Sequence, residues 1–471
     1  MLINANEAEI ADRSRAKIVI AGGGLAGLLL ARELAPLTDI IVIERGDLRL
    51  AAKQAELADA HISGIPYPLK DTRDFRLGGS TSIWAGYCAE FDMLDFSQRD
   101  WVPHSGWPIT LDELTLYKDK VAETLNLTDA TFDPLHVTRD AQKHLPPFIP
   151  GLTVTAWRFG NPILRIADHW LFDTPELDNL KVITNARVID IRLNNDQSEV
   201  DRFICINKRG EQFDVTADIY ILAMGGLETA RLLLSSNTQC PYGVANSSGF
   251  VGQCFSEHPH MTIDGFEFFG TSPLTSWAEK GKDSAGNPFA LCAGLSAQAQ
   301  ESLSILNHRA HIFRTPQMST KAPPKLGIFL EQAPNRNSCI TLAEDRDANG
   351  VSKLDLHWAL NELDVQSFVL AANEMGHTLE EAGAGRYVSP LRAEQVTSDR
   401  ILHSNHQLGT TRMSENPAYG PLDGNCLTHD HRNLYVAGGS AFPTVSWANP
   451  SFMVMLLTMR LAEHLKQRIR N

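Results

Sequence analysis

The sequence predicts an α/β fold in which a three-layer domain with a mostly parallel sheet is interrupted by an α+β domain built on an antiparallel sheet. Three observations support this prediction. A short β-branched run at residues 17–21 ends in glycines and leads into a helical pattern. Two further apolar runs, 220–223 and 433–437, also lead into glycines, and continuous apolar runs are typical of strands buried in a parallel sheet. Residues 261–400 carry short strands separated by Pro, Gly, Asn and Asp turns, which is typical of an antiparallel sheet.

The composition is typical of a globular protein, and the net charge disfavours some classes of binding partner. The 471 residues are 43% hydrophobic and 21% charged, with a formal net charge of −14. This charge disfavours nucleic acid or an anionic membrane surface as the main partner. No apolar run approaches the roughly 18 residues of a membrane span, and the polar N-terminus lacks the apolar core of a signal peptide, so we expect a cytoplasmic protein. Seven scattered cysteines without a C-x-x-C pair are expected to be reduced.

The best-defined motif follows the first strand. Residues 22–27 form a G-x-G-x-x-G sequence, whose glycines permit a tight turn, backbone approach to a pyrophosphate and close packing of the next helix. A helix over about 25–34 directs its N-terminal amides at the phosphates. A second strand, 40–43, ends at Glu44, which is placed to accept hydrogen bonds from a ribose diol. This order of elements predicts a Rossmann-like dinucleotide site rather than an ordinary glycine-rich turn. The cofactor-binding residues predicted here are Gly22, Gly24, Leu25, Ala26, Gly27, Glu44 and Arg45.

A second glycine-rich segment, 75–87, has the sequence FRLGGSTSIWAGY. Its composition fits a loop that presses its backbone against a flat ligand, and equally a plain Gly/Ser turn. The segment resembles the flavin-contacting loop of the glucose-methanol-choline (GMC) oxidoreductases, and 247–260 is similar to the exit from the nucleotide domain in that family. The resemblance implies a short bacterial-type member with a His/Asn active-site pair. The flavin contacts that it implies are Gly78, Gly79, Ser80, Thr81, Ser82 and Trp84.

The resemblance covers most of the chain and implies FAD rather than NAD, because one dinucleotide fingerprint is followed by flavin-type loops. It is densest at 17–46, 75–90, 220–258 and 403–465. Some relatives attach the flavin through a histidine, and Ile83 stands at the matching position here, so non-covalent FAD is expected. The further cofactor contacts implied are Val188 beside the adenosine half, Gly225, Gly439, Ser440, Asn449 and Pro450, the last starting a helix that faces the flavin.

The resemblance also divides the chain into domains. The FAD-binding domain is expected to combine residues 1–105, 180–260 and 401–471. Residues 106–179 would form a lid and connecting segment, and 261–400 the substrate domain.

Three helices are predicted in these segments. One, with a Thr110 and Glu113 capping box, carries apolar residues at 111, 114, 117, 121 and 125. The others span about 364–382 and 450–468.

Alcohol oxidation by a flavin requires a base for the hydroxyl proton and an acceptor for the hydride. The sequence alone does not choose the base among sixteen histidines. His406, in HQLGTTRM, matches the His-x-x-Gly-Thr segment of the family, and Asn449 falls at its second active-site position. An imidazole suits the base and an amide can orient the hydroxyl. The alternatives are a buried hydrogen-bonded histidine at 406 and a helix N-cap at 449, with His403 as the reserve base.

The implied function is FAD-dependent oxidation of an alcohol (CH–OH) to a carbonyl, with proton abstraction by His406 and hydride transfer to flavin N5. The expected substrate is a secondary alcohol of a sugar, a glycoside or a natural product. Sterol or aryl-alcohol oxidation, and a hydroxynitrile-lyase-like reaction without net redox change, are alternatives. Oxygen, a quinone or another carrier would accept the electrons.

Two H-x-H pairs, 258/260 and 429/431, are candidate metal ligands. They lack a third ligand at a recognisable spacing, so no metal is expected.

Overall fold

The computed structural model describes residues 1–7, 14–48, 60–139, 148–168, 178–315, 318 and 322–470. Two parts of the predicted lid segment, 140–147 and 169–177, lie outside the described residues.

The larger sheet forms the base of the predicted dinucleotide-binding domain. Its central strand, Ser14–Ala21, pairs in parallel with Ile40–Ile43 and with Gln212–Leu222. Strand Leu434–Val436 adds in parallel to the carboxyl end of Gln212–Leu222. These pairings bring three glycine-rich strand ends to one edge of the sheet. At one end of the sheet, Val200–Asn207 pairs antiparallel with both Gln212–Leu222 and Ala186–Leu193. The strand order is Leu2–Asn4, Leu180–Thr184, Ile40–Ile43, Ser14–Ala21, Gln212–Leu222, Val200–Asn207 and Ala186–Leu193.

Helix Leu25–Leu34 is rich in Leu and Ala, which favour helix, and it ends before Pro36, which cannot continue the hydrogen-bond ladder. Its buried residues pack on the sheet and against the helix Ser451–Arg470. Glu33 joins three elements, because its carboxylate accepts bonds from Lys120 at 2.6 Å and from Lys466 at 2.9 Å.

The second sheet is antiparallel throughout. Strand Pro288–Leu295 has two long neighbours, Leu152–Arg158 and His308–Phe313. The first of these comes from the segment expected to be lid and connection. In a separate small sheet, Ala60–Gly64, from the first part of the chain, pairs in parallel with Ser352–Trp358 of the expected substrate domain. We therefore propose that the substrate domain takes in both strands. The order of the antiparallel sheet is His260–Ile263, Lys325–Leu330, His308–Phe313, Pro288–Leu295 and Gly281–Lys282, with Leu152–Arg158 beside Pro288–Leu295.

Two small sheets complete the fold. Their strands are Phe266–Phe268 with Gly385–Tyr387, and Cys339–Arg346 with Ser352–Trp358 and Ala60–Gly64. The described helices are Leu25–Leu34, Leu69–Thr72, Met93–Phe96, Leu111–Thr115, Lys118–Thr124, Pro134–Val137, Gly225–Ser235, Ala297–Leu303, Glu362–Glu381 and Ser451–Arg470, with 3₁₀ turns at Gly79–Ser82, Pro273–Ala278, Ala393–Gln395 and Gly439–Ala441.

The predicted fold class is confirmed, and one predicted helix differs in detail. The capping box of Thr110 and Glu113 is present, but the helix that it starts ends at Thr115 and a second begins at Lys118. The Tyr117 N–H donates to the Leu114 carbonyl, three residues back, so a 3₁₀-type turn interrupts the α-helical ladder.

The helix predicted over 364–382 runs from Glu362 to Glu381. It starts earlier because Asn361 caps it and Asp364 closes the reciprocal bond. No helix in the described part of the chain is long and apolar enough to cross a membrane.

A buried ion pair ties residues of the first part of the chain to the antiparallel sheet. Arg99 donates two bonds to Glu331, at 2.8 and 2.6 Å, and the two side chains are only 1% and 0% exposed. Glu331 directly follows strand Lys325–Leu330. Such a pair contributes modest net stability, but removing one partner leaves an uncompensated buried charge.

The Glu331→Ala change should therefore lower the free energy of unfolding by about 3 to 5 kcal/mol. A urea titration followed by far-UV circular dichroism measures this loss. The control is Glu394→Ala, because the Glu394 pair with Arg392 is about 69% exposed and solvent screens it. That control should unfold like the parent. Equal midpoints for Glu331→Ala and the parent would contradict the importance of the buried pair.

Candidate active site

The glycine turn at the end of strand Ser14–Ala21 has little room for side chains. Gly22 has a φ of +105°, and a Cβ there would lie 2.5 Å from the Ala223 carbonyl oxygen. A Cβ on Gly27 would lie 2.0 Å from the Gly22 carbonyl oxygen, so the helix packs directly on the turn. Gly24, in contrast, faces open space, and no side chain caps the helix that starts after it. The first-turn amides of this helix are therefore available to an anion.

Glu44 closes the turn from the neighbouring strand. Its carboxylate accepts the Gly23 N–H at 2.8 Å and the Gly46 N–H at 2.7 Å. Burial raises the pKa of this carboxyl group, and the two amide bonds act against that rise. The next residue, Arg45, stacks its guanidinium 4.2 Å from the Phe75 ring centre and approaches Glu228 at 3.2 Å. Glu44 therefore has a structural contact in addition to the predicted one with a ribose.

The second glycine-rich segment is bonded to the first. The Gly78 N–H donates to the Gly23 carbonyl at 2.8 Å, and the Thr81 hydroxyl donates to the Gly78 carbonyl at 2.7 Å. Arg165 donates to the carbonyls of Thr81 and Trp84 at 2.7 and 3.0 Å. The loop is thus held from both sides, and its backbone faces the glycine turn.

One cavity of about 840 Å³ connects these elements, a size in the range of ligand sites. It lies at the carboxyl ends of the parallel strands, where open α/β sheets bind ligands. The predicted site residues that line it are Gly22, Gly24, Leu25, Ala26, Glu44, Arg45, Gly79, Ser80, Thr81, Trp84, Val188, Gly225, His406, Gly439 and Asn449.

Five predicted contact residues are not among those that line the cavity. Gly27 packs on the glycine turn, and Gly78 forms a turn beside Ala167. Ser440 is fully buried, and its carbonyl accepts the Thr411 N–H. Pro450 is buried where the carboxy-terminal helix begins, and its carbonyl accepts the Val454 N–H. Ser82 is the last residue of the 3₁₀ turn Gly79–Ser82.

His406 and Asn449 meet at the cavity wall. The Asn449 amide nitrogen lies 3.3 Å from His406 Nε2. Among the described residues, no hydrogen bond from the Asn449 side chain to the first turn of the following helix is found, so its side chain faces the histidine. Burial lowers the pKa of His406 well below its ordinary value, and a positive charge on the neighbouring His258, His260 or His403 would lower it further. His406 is therefore neutral near pH 7.

Sequence reasoning missed the two residues that hold His406. The Glu257 carboxylate accepts the backbone N–H of His406 and of Ser404, the latter at 3.0 Å, as well as the Tyr67 hydroxyl at 3.0 Å. His258 Nδ1 lies 2.6 Å from His406 Nδ1. The H-x-H pattern indicated His258 only as a candidate metal ligand. Nothing in the sequence indicated its contact with His406.

The ring nitrogens of the H-x-H pairs have separate hydrogen-bond partners. His260 Nδ1 meets the Ser404 hydroxyl at 3.3 Å, while His258 bonds elsewhere. His429 and His431 contact different carbonyls. Ligand atoms of Glu257, His258 and His406 do lie within 4.8 Å of one another. The Glu257 oxygens, however, already accept the donors named above and the His258 N–H.

His403, the reserve base, packs its ring against Tyr67 with the centres 5.3 Å apart. It is not among the residues that line the cavity.

Aromatic side chains surround the part of the cavity beside His406. The ring of Phe329 lies 4.7 Å from those of both His260 and His311, and 5.8 Å from that of Trp157. His311 in turn stacks on Phe313 at 5.0 Å. Burial lowers the pKa of His260 to about 4 and that of His311 to about 3, so both imidazoles are neutral. We call these five residues the aromatic chamber.

Comparison with known proteins agrees with this geometry. The family model described as FAD dependent oxidoreductase matches residues 17–248, and the one described as GMC oxidoreductase matches 334–458. The 2-methyl-1,2-propanediol dehydrogenase of Mycolicibacterium austroafricanum is 24% identical over 87% of this chain and 85% of its own length.

The solved structures that share the fold include two oxidases. A formate oxidase superposes with a TM-score of 0.66 at 16% identity, covering 98% of this chain and 99% of its own. A fungal aryl-alcohol oxidase has a TM-score of 0.67 at 14% identity, covering 98% and 100%. The chain thus contains an FAD-dependent oxidoreductase domain and a GMC oxidoreductase carboxy-terminal domain, and it is an FAD-dependent enzyme.

The expected non-covalent attachment of FAD rests on Ile83. This residue follows the 3₁₀ turn Gly79–Ser82, lines the cavity and is 49% exposed. Its hydrocarbon side chain cannot form a bond to the flavin. Acid precipitation of the holoenzyme should therefore leave yellow FAD in the supernatant. The prediction is wrong if the flavin stays with the pellet or if the intact protein carries an FAD-mass adduct.

Proposed function

We propose that this enzyme oxidises the CH–OH group of an alcohol to a carbonyl, with His406 as the base for the hydroxyl proton and Asn449 orienting the hydroxyl. The observation that carries this proposal is the meeting of His406 Nε2 and the Asn449 amide, 3.3 Å apart, in the cavity that also contains the glycine turn. A neutral imidazole can accept a proton, and an amide can donate to an oxygen without competing for that proton.

The residues of the cavity fit FAD. The uncapped helix after Gly24 would hold the pyrophosphate, and Glu44 would meet the ribose. The loop 79–84 would face the flavin ring, and Val188 the adenosine half. FAD bound there supplies the acceptor for the hydride. The N-terminus of the helix Ser451–Arg470 would add a positive dipole end near the flavin.

The protonation state of His406 suits the proposed role. Since desolvation lowers its pKa, the imidazole enters the reaction neutral. Proton acceptance then breaks the substrate O–H bond and forms an N–H bond on Nε2, while the Asn449 amide remains beside the same oxygen.

The aromatic chamber favours an alcohol with a planar, apolar substituent over a free sugar. Its two imidazoles are neutral, and its hydrogen-bonding atoms are the imidazole nitrogens and the Trp157 indole N–H, while the rest of its surface consists of ring faces. A sugar has more hydroxyl groups than these few atoms can pair with, and each hydroxyl buried without a partner costs about 1 to 3 kcal/mol. An aryl alcohol instead stacks on Phe329 and Trp157. We therefore place aryl alcohols before the sugars and glycosides indicated by the sequence.

The base role predicts the effect of His406→Ala on flavin reduction. The anaerobic stopped-flow rate should fall by about 10² to 10⁴, the usual contribution of a positioned base, while FAD stays bound. In the parent enzyme the rate should rise with pH through the ionisation of His406, because the imidazolium cannot accept a proton. This step should lie below that of Glu257, whose pKa burial raises to about 7. The ionisation of His406 should also lie below the pH of about 6.5 at which an ordinary histidine titrates, because the pKa of His406 is lowered.

Two further variants serve as controls for this prediction. Asn449→Ala should reduce more slowly than the parent but keep the ionisation. His403→Ala should behave like the parent, because His403 does not line the cavity. Parent rates in His406→Ala, combined with slow reduction in His403→Ala, would transfer the base role to His403.

The aromatic chamber predicts substrate preference. Aryl-substituted alcohols should reduce the flavin with a higher kcat/KM than free sugars or glycosides. Phe329→Ala should lower kcat/KM for the aryl alcohol about threefold to tenfold, the value of one aromatic contact. The control is Phe148→Ala, since Phe148 is 90% exposed. A panel in which sugars reduce fastest, or a Phe329→Ala enzyme with unchanged kcat/KM, would refute this substrate class.

A further inference from the structure

We propose that His258 is a positioning residue for the base, because it fixes the tautomer of His406 so that the Nε2 lone pair faces the substrate. The inference rests on the proposed role of His406. It adds a second residue to the site, which the resemblance to the family did not indicate. His258 is fully buried, with an exposed fraction of 0%, and lies directly behind the ring of His406.

The protonation of His258 follows from its contact with Val445. His258 Nε2 lies 2.8 Å from the Val445 carbonyl oxygen. A carbonyl oxygen only accepts, so Nε2 must carry the hydrogen. Burial lowers the pKa of His258 to about 4, which keeps the ring neutral near pH 7. The other ring nitrogen, Nδ1, therefore has a lone pair and acts as an acceptor.

The tautomer of His406 follows in the next step. The two Nδ1 atoms are 2.6 Å apart, a distance that requires one of them to donate. Since His258 Nδ1 is an acceptor, the donor is His406 Nδ1–H. In a neutral imidazole the second nitrogen then has no hydrogen, so His406 Nε2 carries the free lone pair.

The Asn449 contact agrees with this assignment from the opposite side. The amide nitrogen of Asn449 lies 3.3 Å from His406 Nε2, so it can donate to this lone pair until a substrate hydroxyl takes its place. If His406 had the other tautomer, two N–H groups would face each other here, and two lone pairs would face each other at the Nδ1 contact. Both ends of the chain of hydrogen bonds thus select the same tautomer.

The titratable groups near His406 include His260, His403 and Glu257. Burial lowers the pKa of His260 and His403, so both are neutral, and it raises the pKa of Glu257 to about 7. The Glu257 carboxylate accepts from Tyr67 and from three backbone amides, and neither imidazole ring bonds to it. The base is therefore supported by a neutral acceptor, where serine hydrolases use a carboxylate.

The arrangement has a consequence for the proton step. When the substrate O–H bond breaks and Nε2 gains the proton, His406 becomes an imidazolium whose Nδ1–H already points at His258 Nδ1. That bond becomes charge-assisted and strengthens without any movement of the rings. His258 thus stabilises the protonated base and raises its affinity for the proton relative to a histidine without an acceptor.

Nitrogen-15 NMR of the holoenzyme labelled at histidine tests the tautomers directly. His406 should give the signals of a ring protonated at Nδ1, and His258 those of a ring protonated at Nε2. The signals lost in His406→Ala and in His258→Gln assign the two rings. A His406 ring protonated at Nε2 in the parent enzyme would overturn the proposal, whatever the kinetics of the variants.

Two matched variants separate the acceptor from the anchor to Val445. His258→Gln keeps an N–H group at the position of Nε2 but has no acceptor in place of Nδ1. His258→Asn keeps an oxygen acceptor near the position of Nδ1 but has no donor to Val445. Anaerobic flavin reduction is measured against pH for both, after their FAD absorption and thermal unfolding have been compared with those of the parent.

The acceptor hypothesis predicts different results for the two. His258→Gln should reduce about 10- to 10²-fold more slowly, within the contribution of a positioned base, and its ionisation should move to lower pH. His258→Asn should keep the parent ionisation. The proposal fails if His258→Gln keeps the parent profile, or if both variants show the same shift. Failure of the base assignment is seen separately, as a parent rate in His406→Ala.

Discussion

The buried carboxylate of Glu257 holds together the segments that form the candidate site. It accepts the backbone amides of His258, Ser404 and His406 and the hydroxyl of Tyr67. A carboxylate taken out of water loses several kcal/mol of solvation, and donors arranged around it restore that loss. Burial still raises the pKa of Glu257 to about 7. The position of His406 relative to His258 therefore depends on one acceptor whose donors come from distant parts of the chain.

The Asn449 side of the site has a separate support. Asp92 accepts the Trp447 indole N–H at 3.2 Å and an Arg309 N–H at 2.7 Å, and the Arg309 guanidinium lies 4.8 Å from the Trp447 ring centre. Arg309 belongs to the antiparallel sheet, while Trp447 precedes Asn449 by two residues. Two separate polar clusters thus anchor the chain, one beside His406 and one beside Asn449.

Local sequence signals predicted much of the fold and little of the support for the site. The glycine turn, Glu44 and the Thr110 capping box were predictable, because each depends on residues close together in sequence. The family resemblance predicted His406 and Asn449 as the active-site pair. The contact of His258 with His406 spans 148 residues and arises only from packing, so no periodicity or spacing indicates it. The strand Leu152–Arg158 was missed for the same reason, since its partner lies over a hundred residues away.

The parallel pairing of Leu434–Val436 with Gln212–Leu222 also bears on how the enzyme is made. The cavity takes part of its wall from Gly438, Asn449 and Val454, as well as from the glycine turn near residue 22. During translation this wall therefore cannot close until residue 454 has left the ribosome. FAD thus meets a complete cleft only after residues 261–400 have been made, and the cellular supply of flavin acts on a chain in which that region is already present.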